Sequence, residues 1–339
     1  MDRIVPSYDG SSCVTVAGAE SGYNSWPFLQ VIGSRLVCVY SRGSEHSVEE
    51  PARGVYARFS DDGGATWSPE ATVCNSPGGG EIAEDTGVDG EGAMLVFVRF
   101  TGEFAAHHLY RTRDGVHFEK IASPVFDPVP MQIMDIFHPR SGGLAALWFA
   151  GDYRRGIGCW GMVSSADGGL TWHQRSVESD LPADEWPTEA SAAVAEDGRI
   201  LAIARTEVKA PAPKLPRQFQ LESDDDGLSW RKSLTDISDI RNSTPALLLD
   251  CPGGLVSNYY YERKAGLLKR RTANFDAAWG HPEAWSEPET ITTASTDDYH
   301  AGNVKAVKWR DRHILAFYSG NPTNTAIEVI SVPAPGGRS

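Results

Sequence analysis

The chain has no apolar run approaching the roughly 20 residues that span a bilayer, so no transmembrane helix is expected. Positive charge is scarce: 31 Lys and Arg stand against 45 Asp and Glu, a net charge of −14. Phosphate backbones and anionic lipid repel such a body, so neither nucleic acid nor membrane is the expected partner, although local basic sites remain open to it. Cysteine is scattered. Cys13, Cys38, Cys74, Cys159 and Cys251 are odd in number and include no close-spaced pair, which argues against a disulfide framework or a metal knot. Residues Met1 to Pro6 lack the charged and apolar regions of a secretory leader, and a cytoplasmic location is expected unless a leader was removed. Helical signals are missing too: apolar runs are short, rich in Val, Ile, Tyr and Phe, and bounded by Gly, Asp, Asn and Pro.

What is present is repetition. Gly33-Ser34-Arg35-Leu36-Val37-Cys38-Val39-Tyr40 returns in altered form five more times, and the markers Leu36, Leu95, Leu144, Ile200, Leu255 and Ile314 lie 49 to 59 residues apart. A second pattern runs in phase with the first. Ser60 to Trp67, Ser165 to Trp172 and Ser223 to Trp230 all read Ser-x-Asp-x-Gly-x-(Ser/Thr)-Trp; Thr112 to Phe118 is a shortened relative, and Trp285-Ser286-Glu287-Pro288 echoes the exit of the first copy. Periods of this size mean a solenoid, an array or a propeller. The first unit reads as about four strands, Trp26 to Ile32, Arg35 to Ser41, Gly54 to Phe59 and one opening near Trp67. Six such units predict an all-β fold: a six-bladed β-propeller of four-stranded antiparallel blades, occupying residues 1–339 as a single domain.

The repeated polar turn reads as a staple. Its Ser and Asp side chains can bond the turn's own N–H groups, Gly takes the positive φ and Trp packs into the sheet. Calcium binding by Asp61 and Asp62 is the alternative, but an EF-hand-like spacing with a terminal Glu is missing. In a four-stranded meander the start of the first strand and the end of the second share one face, opposite the third-to-fourth turn. The working mouth is therefore expected to be ringed by Arg42, Arg99, Asp152, Arg205, Arg263 and Asn321 from second-strand ends. First-strand starts contribute Trp26, Asp85, Asp135, Glu189, Thr244 and the pair Tyr299-His300. Arginines converging on one axis repel one another unless an anion sits among them, and guanidinium matches carboxylate in bidentate fashion. A carboxylated small molecule or sugar acid is the expected ligand, with Arg42, Arg99, Arg205, Arg263, Asp135, Trp26 and His300 as its contacts.

These repeats resemble the Asp-boxes, or BNR repeats, of the sialidase (neuraminidase) superfamily, and the resemblance runs through nearly the whole chain. Thr188-Glu189-Ala190-Ser191, followed by Arg205, is similar to the segment in which sialidases hold the glutamate that activates their nucleophile and an arginine that clamps the substrate carboxylate. Tyr259-Tyr260-Tyr261-Glu262-Arg263 is similar to the position of another clamp arginine, and Asp298-Tyr299-His300 to that of the nucleophilic tyrosine. The resemblance implies catalysis by Tyr299 and Glu189 on a sialoside, with no cofactor and no metal. Read from the residues alone, Tyr299 serves equally as a pore-lining aromatic, and Glu189 as a rim carboxylate paired with an arginine. Two departures stand out. The family's first clamp arginine is replaced by Ser25-Trp26-Pro27, leaving Arg42 or Arg99 to supply the cation. Its acid/base aspartate is missing from Arg42 to Glu50, where His46, able to titrate near neutrality, is the first substitute and Glu45, Glu49 and Glu50 compete with it. A glycan-binding propeller without catalysis, and a hydrolase or lyase for another acidic sugar, are the rival expectations.

Overall fold

A computed structural model describes residues 13–102, 105–152, 154–182, 184–206, 217–240, 243–250, 254–295 and 300–336; the expected nucleophile Tyr299 lies outside them. After a short N-terminal strand, β1 (Val14–Ala17), the chain runs through successive meanders. The first is β2 (Tyr23–Ile32), β3 (Arg35–Gly43), β4 (Gly54–Ser60) and β5 (Ala71–Cys74). Next come β6 (Glu81–Val88), β7 (Met94–Phe100), β8 (Ala106–Thr112) and β9 (Glu119–Ala122), then β10 (Gln132–Phe137), β11 (Leu144–Asp152), β12 (Ile157–Ser165) and β13 (His173–Pro182). They are followed by β14 (Pro187–Val194), β15 (Ile200–Thr206), β16 (Gln218–Ser223) and β17 (Arg231–Leu234), and by β18 (Ala246–Asp250), β19 (Leu255–Glu262), β20 (Leu267–Asn274) and β21 (Glu289–Thr293). Finally β22 (Ala301–Trp309), β23 (Arg312–Gly320) and β24 (Thr325–Pro333) take β1 as their fourth strand, antiparallel to β24.

The first strands pack in a cycle: β2 on β6, β6 on β10, β10 on β14, β14 on β18, β18 on β22, and β22 back on β2. That closure packs the innermost edge of each sheet against its neighbours. The second strands carry the core. Leu36 to Tyr40, Met94 to Val98 and Ile200 to Ala204 are buried throughout, because neighbouring units cover both faces of each sheet, and this is why the repeats read as continuous apolar runs. At the closing seam Tyr23 pairs with Thr325 in a parallel bridge, and the buried Asn24 amide donates to the Thr325 carbonyl at 2.8 Å.

The polar turns are staples between units. Ser165 Oγ donates to Asp167 Oδ1 at 2.9 Å and accepts from Gly169 N at 2.9 Å, while Asp167 takes Thr171 N and Oγ1, and Trp172 Nε1 donates to Gly169 O. The same bonds recur at Ser60 to Trp67 and at Ser223 to Trp230. The Thr171 hydroxyl and N–H hold the Asp167 carboxyl down at about 2. The glycine four residues after each turn's Ser also faces the preceding unit: a Cβ on Gly169 would stand 2.7 Å from Leu109, and one on Gly227 2.5 Å from Met162. Asp61, the other candidate calcium ligand, pairs with Arg35 at 2.7 Å.

Candidate active site

Five first strands break register at the same level, between Ser25 and Phe28, Ala83 and Asp85, Met134 and Phe137, Thr188 and Ser191, and Gly302 and Lys305. Four of the breaks hold a non-glycine residue in left-handed backbone: Trp26 (φ 52°), Asp135 (52°), Glu189 (45°) and Asn303 (46°). Such conformations cost about 1–3 kcal/mol each and persist where the surroundings over-determine them. Bulges re-aim side chains, and here they turn residues of distant sequence towards one axis.

At the mouth Tyr23 is the hub. Its hydroxyl lies 2.9 Å from His46 Nδ1 and 2.9 Å from His300 Nδ1, and it is hydrogen-bonded to the Tyr318 hydroxyl. Burial, then the neighbouring Tyr318, raises the Tyr23 phenol well above its ordinary value. Tyr318, fully buried, takes a hydrogen bond from Arg263 and feels the Glu189 charge. Arg263 is itself buried and donates to Asn303 Oδ1 at 3.4 Å. Glu189 pairs with Arg205 at 2.7 Å and accepts from Thr244 Oγ1 at 3.0 Å. Arg53 lies over the Trp26 ring at 4.7 Å, and that ring meets His46 edge-on at 5.4 Å. Arg53 is fully buried and gathers the His46 loop, donating to the carbonyls of Glu45 and Ser47 and to the Glu50 carboxylate.

The structure thus brings together Glu189, Arg205, Arg263, Trp26, His46 and His300. It does not bring in Arg42, whose guanidinium is occupied by Glu70, Asn24 and the face of Tyr56. Arg99 leans onto the next unit and donates to the Met131 carbonyl at 2.7 Å. Both sit at the expected strand ends; position along a strand fixes the rim, while the side chain's alternation across the sheet fixes which face it meets. His46 departs from the near-neutral titration expected of it: burial, then the charges of Arg263, His300 and Arg53, push it down to about 4. Among its competitors, Glu50 caps Ser44 N and pairs with Arg53, while Glu45 and Glu49 are exposed. Tyr23, Arg53, Tyr318 and Asn303 were not legible as site residues, although Tyr318 belongs to the sixth copy of the apolar repeat and counting along that strand would have reached it.

Asp135 stands one level deeper. It accepts from Ser191 Oγ at 2.6 Å and Ala192 N at 2.5 Å, and lies 3.7 Å from Lys305 Nζ, which bonds Asp85 at 2.7 Å. These groups line an axial cavity of about 300 Å³ together with Leu247 and Val307. Burial pushes Asp85 up to about 6 although Lys305 opposes it; burial also draws the Lys305 ammonium down, but Asp135 and Asp85 outweigh it and hold it above its ordinary value. Among the described residues, no cluster of three or more His, Cys, Asp or Glu is placed to hold a metal ion.

A closed ring of four-stranded antiparallel sheets, stapled by these turns and opening on a polar mouth, defines a β-propeller of the sialidase-like fold. The BNR/Asp-box repeat family model matches residues 58–69, the first staple. Among solved structures, a protein of unknown function from Dyadobacter fermentans superposes with a TM-score of 0.77 at 16% identity, covering 97% of this chain and 100% of that one. The Hadza microbial sialidase Hz136 superposes at 0.70 with 15% identity, over 95% of this chain and 68% of its own. The arabinofuranosidase Arb93A of Fusarium graminearum, in complex with an iminosugar inhibitor, superposes at 0.70 with 13% identity, over 97% and 98%. No curated protein matches the sequence.

Proposed function

We propose that this chain is a glycoside hydrolase acting on a carboxylated sugar, with sialic acid or a related nonulosonic acid as the first candidate. The observation that carries the reading is the gathering of cations at the mouth: in a protein of net charge −14, Arg53 and Arg263 both face His46, and Arg263 bonds Tyr318, which also feels the charge of Glu189 in its pair with Arg205. A substrate carboxylate balances those cations. The anomeric carbon of such a sugar bears a carboxylate, which repels an anionic nucleophile; a tyrosine hydroxyl that loses its proton to Glu189 as it attacks avoids the repulsion. Tyr299 takes that role in this reading, and Arg205 and Arg263 hold the carboxylate and the charge of the oxocarbenium-like transition state. His46 serves the departing oxygen.

The test is turnover of a fluorogenic sialoside by the wild type, Glu189→Gln and Tyr299→Phe. Removing a general base costs about 10²- to 10⁴-fold. Wild-type turnover equalled by both variants rejects the roles, and no wild-type turnover rejects the substrate. The arabinofuranosidase neighbour, matched over nearly both whole chains, favours a second reading in which the cleaved sugar is not a sialic acid. A panel of acidic and arabinan oligosaccharides separates the two readings, and affinity for sialyl glycans without turnover marks a binding propeller.

A further inference from the structure

We infer that Tyr23 is the positioning residue of a two-histidine acid–base unit, fixing which ring nitrogen of His46 and of His300 carries the proton. The inference rests on proton counting at a point buried in the mouth. The Tyr23 hydroxyl owns one proton and stands 2.9 Å from Nδ1 of both imidazoles. Burial keeps that proton on the phenol. One proton serves one acceptor, so at most one imidazole accepts from Tyr23 at Nδ1. The other completes its bond only by donating from Nδ1, and a neutral imidazole protonated there has an unprotonated Nε2. Where Tyr23 gives its proton to Tyr318 instead, both rings must donate from Nδ1. In every arrangement at least one of the two neutral rings has a basic Nε2.

The surroundings of His46 favour a neutral ring. His46 is faced by Tyr23 and Trp26 from β2, by His300 beside β22, by Arg53 from the start of β4 and by Arg263 from the end of β19, and the two guanidinium charges oppose an imidazolium. A site of this kind gains from moving a proton without creating a new cation. With mixed tautomers it does so. In a single displacement, with water in place of the Tyr299 nucleophile, water attacks the anomeric carbon and its proton passes to the basic Nε2 of the first ring; that ring's Nδ1 proton passes to the Tyr23 oxygen, and the Tyr23 proton to Nδ1 of the second ring. The second ring's Nε2 proton goes to the departing oxygen, which keeps the electron pair of the broken carbon–oxygen bond. Water has lost one proton, the departing oxygen has gained one, and the rings have exchanged tautomers with no change of charge. The role in turnover depends on the hydrolase reading above; the tautomers do not.

The deciding experiment is nitrogen-15 NMR of the imidazole rings at pH 7, assigned with His46→Gln and His300→Gln. The expected result is that at least one of the two rings is neutral and protonated on Nδ1, and that Tyr23→Phe, which keeps the ring and removes the hydroxyl, abolishes that enforced tautomer. Both rings protonated on Nε2, or either ring charged at pH 7, overturns the proposal, and the wild-type spectrum alone suffices if the variant misfolds. On a turned-over glycoside, Tyr23→Phe is expected to lower kcat about 10²-fold with little change in KM. A loss confined to melting temperature, with kcat intact, sinks the relay. Predicted tautomers without sialoside turnover leave the tautomer assignment standing and remove the substrate assignment; turnover with both rings protonated on Nε2 does the reverse.

Discussion

Replacing Lys305 by Met tests whether the axial triad is an electrostatic unit. The ammonium is buried between Asp85 at 2.7 Å and Asp135 at 3.7 Å, and removing it leaves two carboxyl groups at the axis without their cation. Breaking a buried pair by deleting one partner costs about 3–5 kcal/mol. Unfolding entropy of about 2.1 cal/mol/K per residue makes about 0.7 kcal/mol/K for 339 residues, so the melting temperature should fall by about 4–7 °C. The pH dependence has a definite sign. Asp85 is raised to about 6 in the folded chain, so its contribution to stability is complete below the ordinary carboxylate range and is lost as pH rises through 6. Without Lys305 the main group that holds Asp85 down is gone, its carboxyl rises further, and the deficit should be larger at pH 8 than at pH 5. Differential scanning calorimetry at both pH values measures it. A deficit of equal size at both, or one below about 1 °C, refutes the reasoning.

Two further substitutions probe the staples and the mouth. Gly169→Ala combines positive φ (94°) with a Cβ 2.7 Å from Leu109 and should cost about 2–4 kcal/mol in denaturant melts, whereas Gly168→Ala has positive φ (73°) but open space and should cost about 1–2. Equal costs would remove the inter-unit role of the turn. Arg53→Met withdraws a cation that depresses His46, so the His46 titration should move up from about 4 towards 6.5; an unmoved midpoint contradicts the electrostatic account.

Much of this was legible in the sequence because it rests on local chemistry repeated with a period. The apolar runs are the doubly covered second strands, the Ser-x-Asp-x-Gly turns bond themselves as their side chains allow, and Glu189, Arg205 and Arg263 meet at the mouth as radial geometry requires. What was not legible lies in three dimensions. Left-handed bulges at Trp26, Asp135, Glu189 and Asn303 use no glycine and so leave no mark in the sequence. Arg42 and Arg99 were placed at the right rim, but Glu70 and the Met131 carbonyl, distant in sequence, take their side chains. Arg53 carries no mark of its role in the sequence, because that role comes from the carbonyls of Glu45 and Ser47 folded round it. The union of β1 with β24 joins the two ends of the chain, a pairing no repeat unit encodes.

The most direct measurement is a crystal structure of the protein soaked with an unsaturated sialic acid analogue. The account predicts the sugar at the mouth, its carboxylate within hydrogen-bonding distance of Arg263 and its ring beside Glu189 and His46. A sugar bound elsewhere, or seated at the mouth with its carboxylate turned away from every arginine, would contradict it.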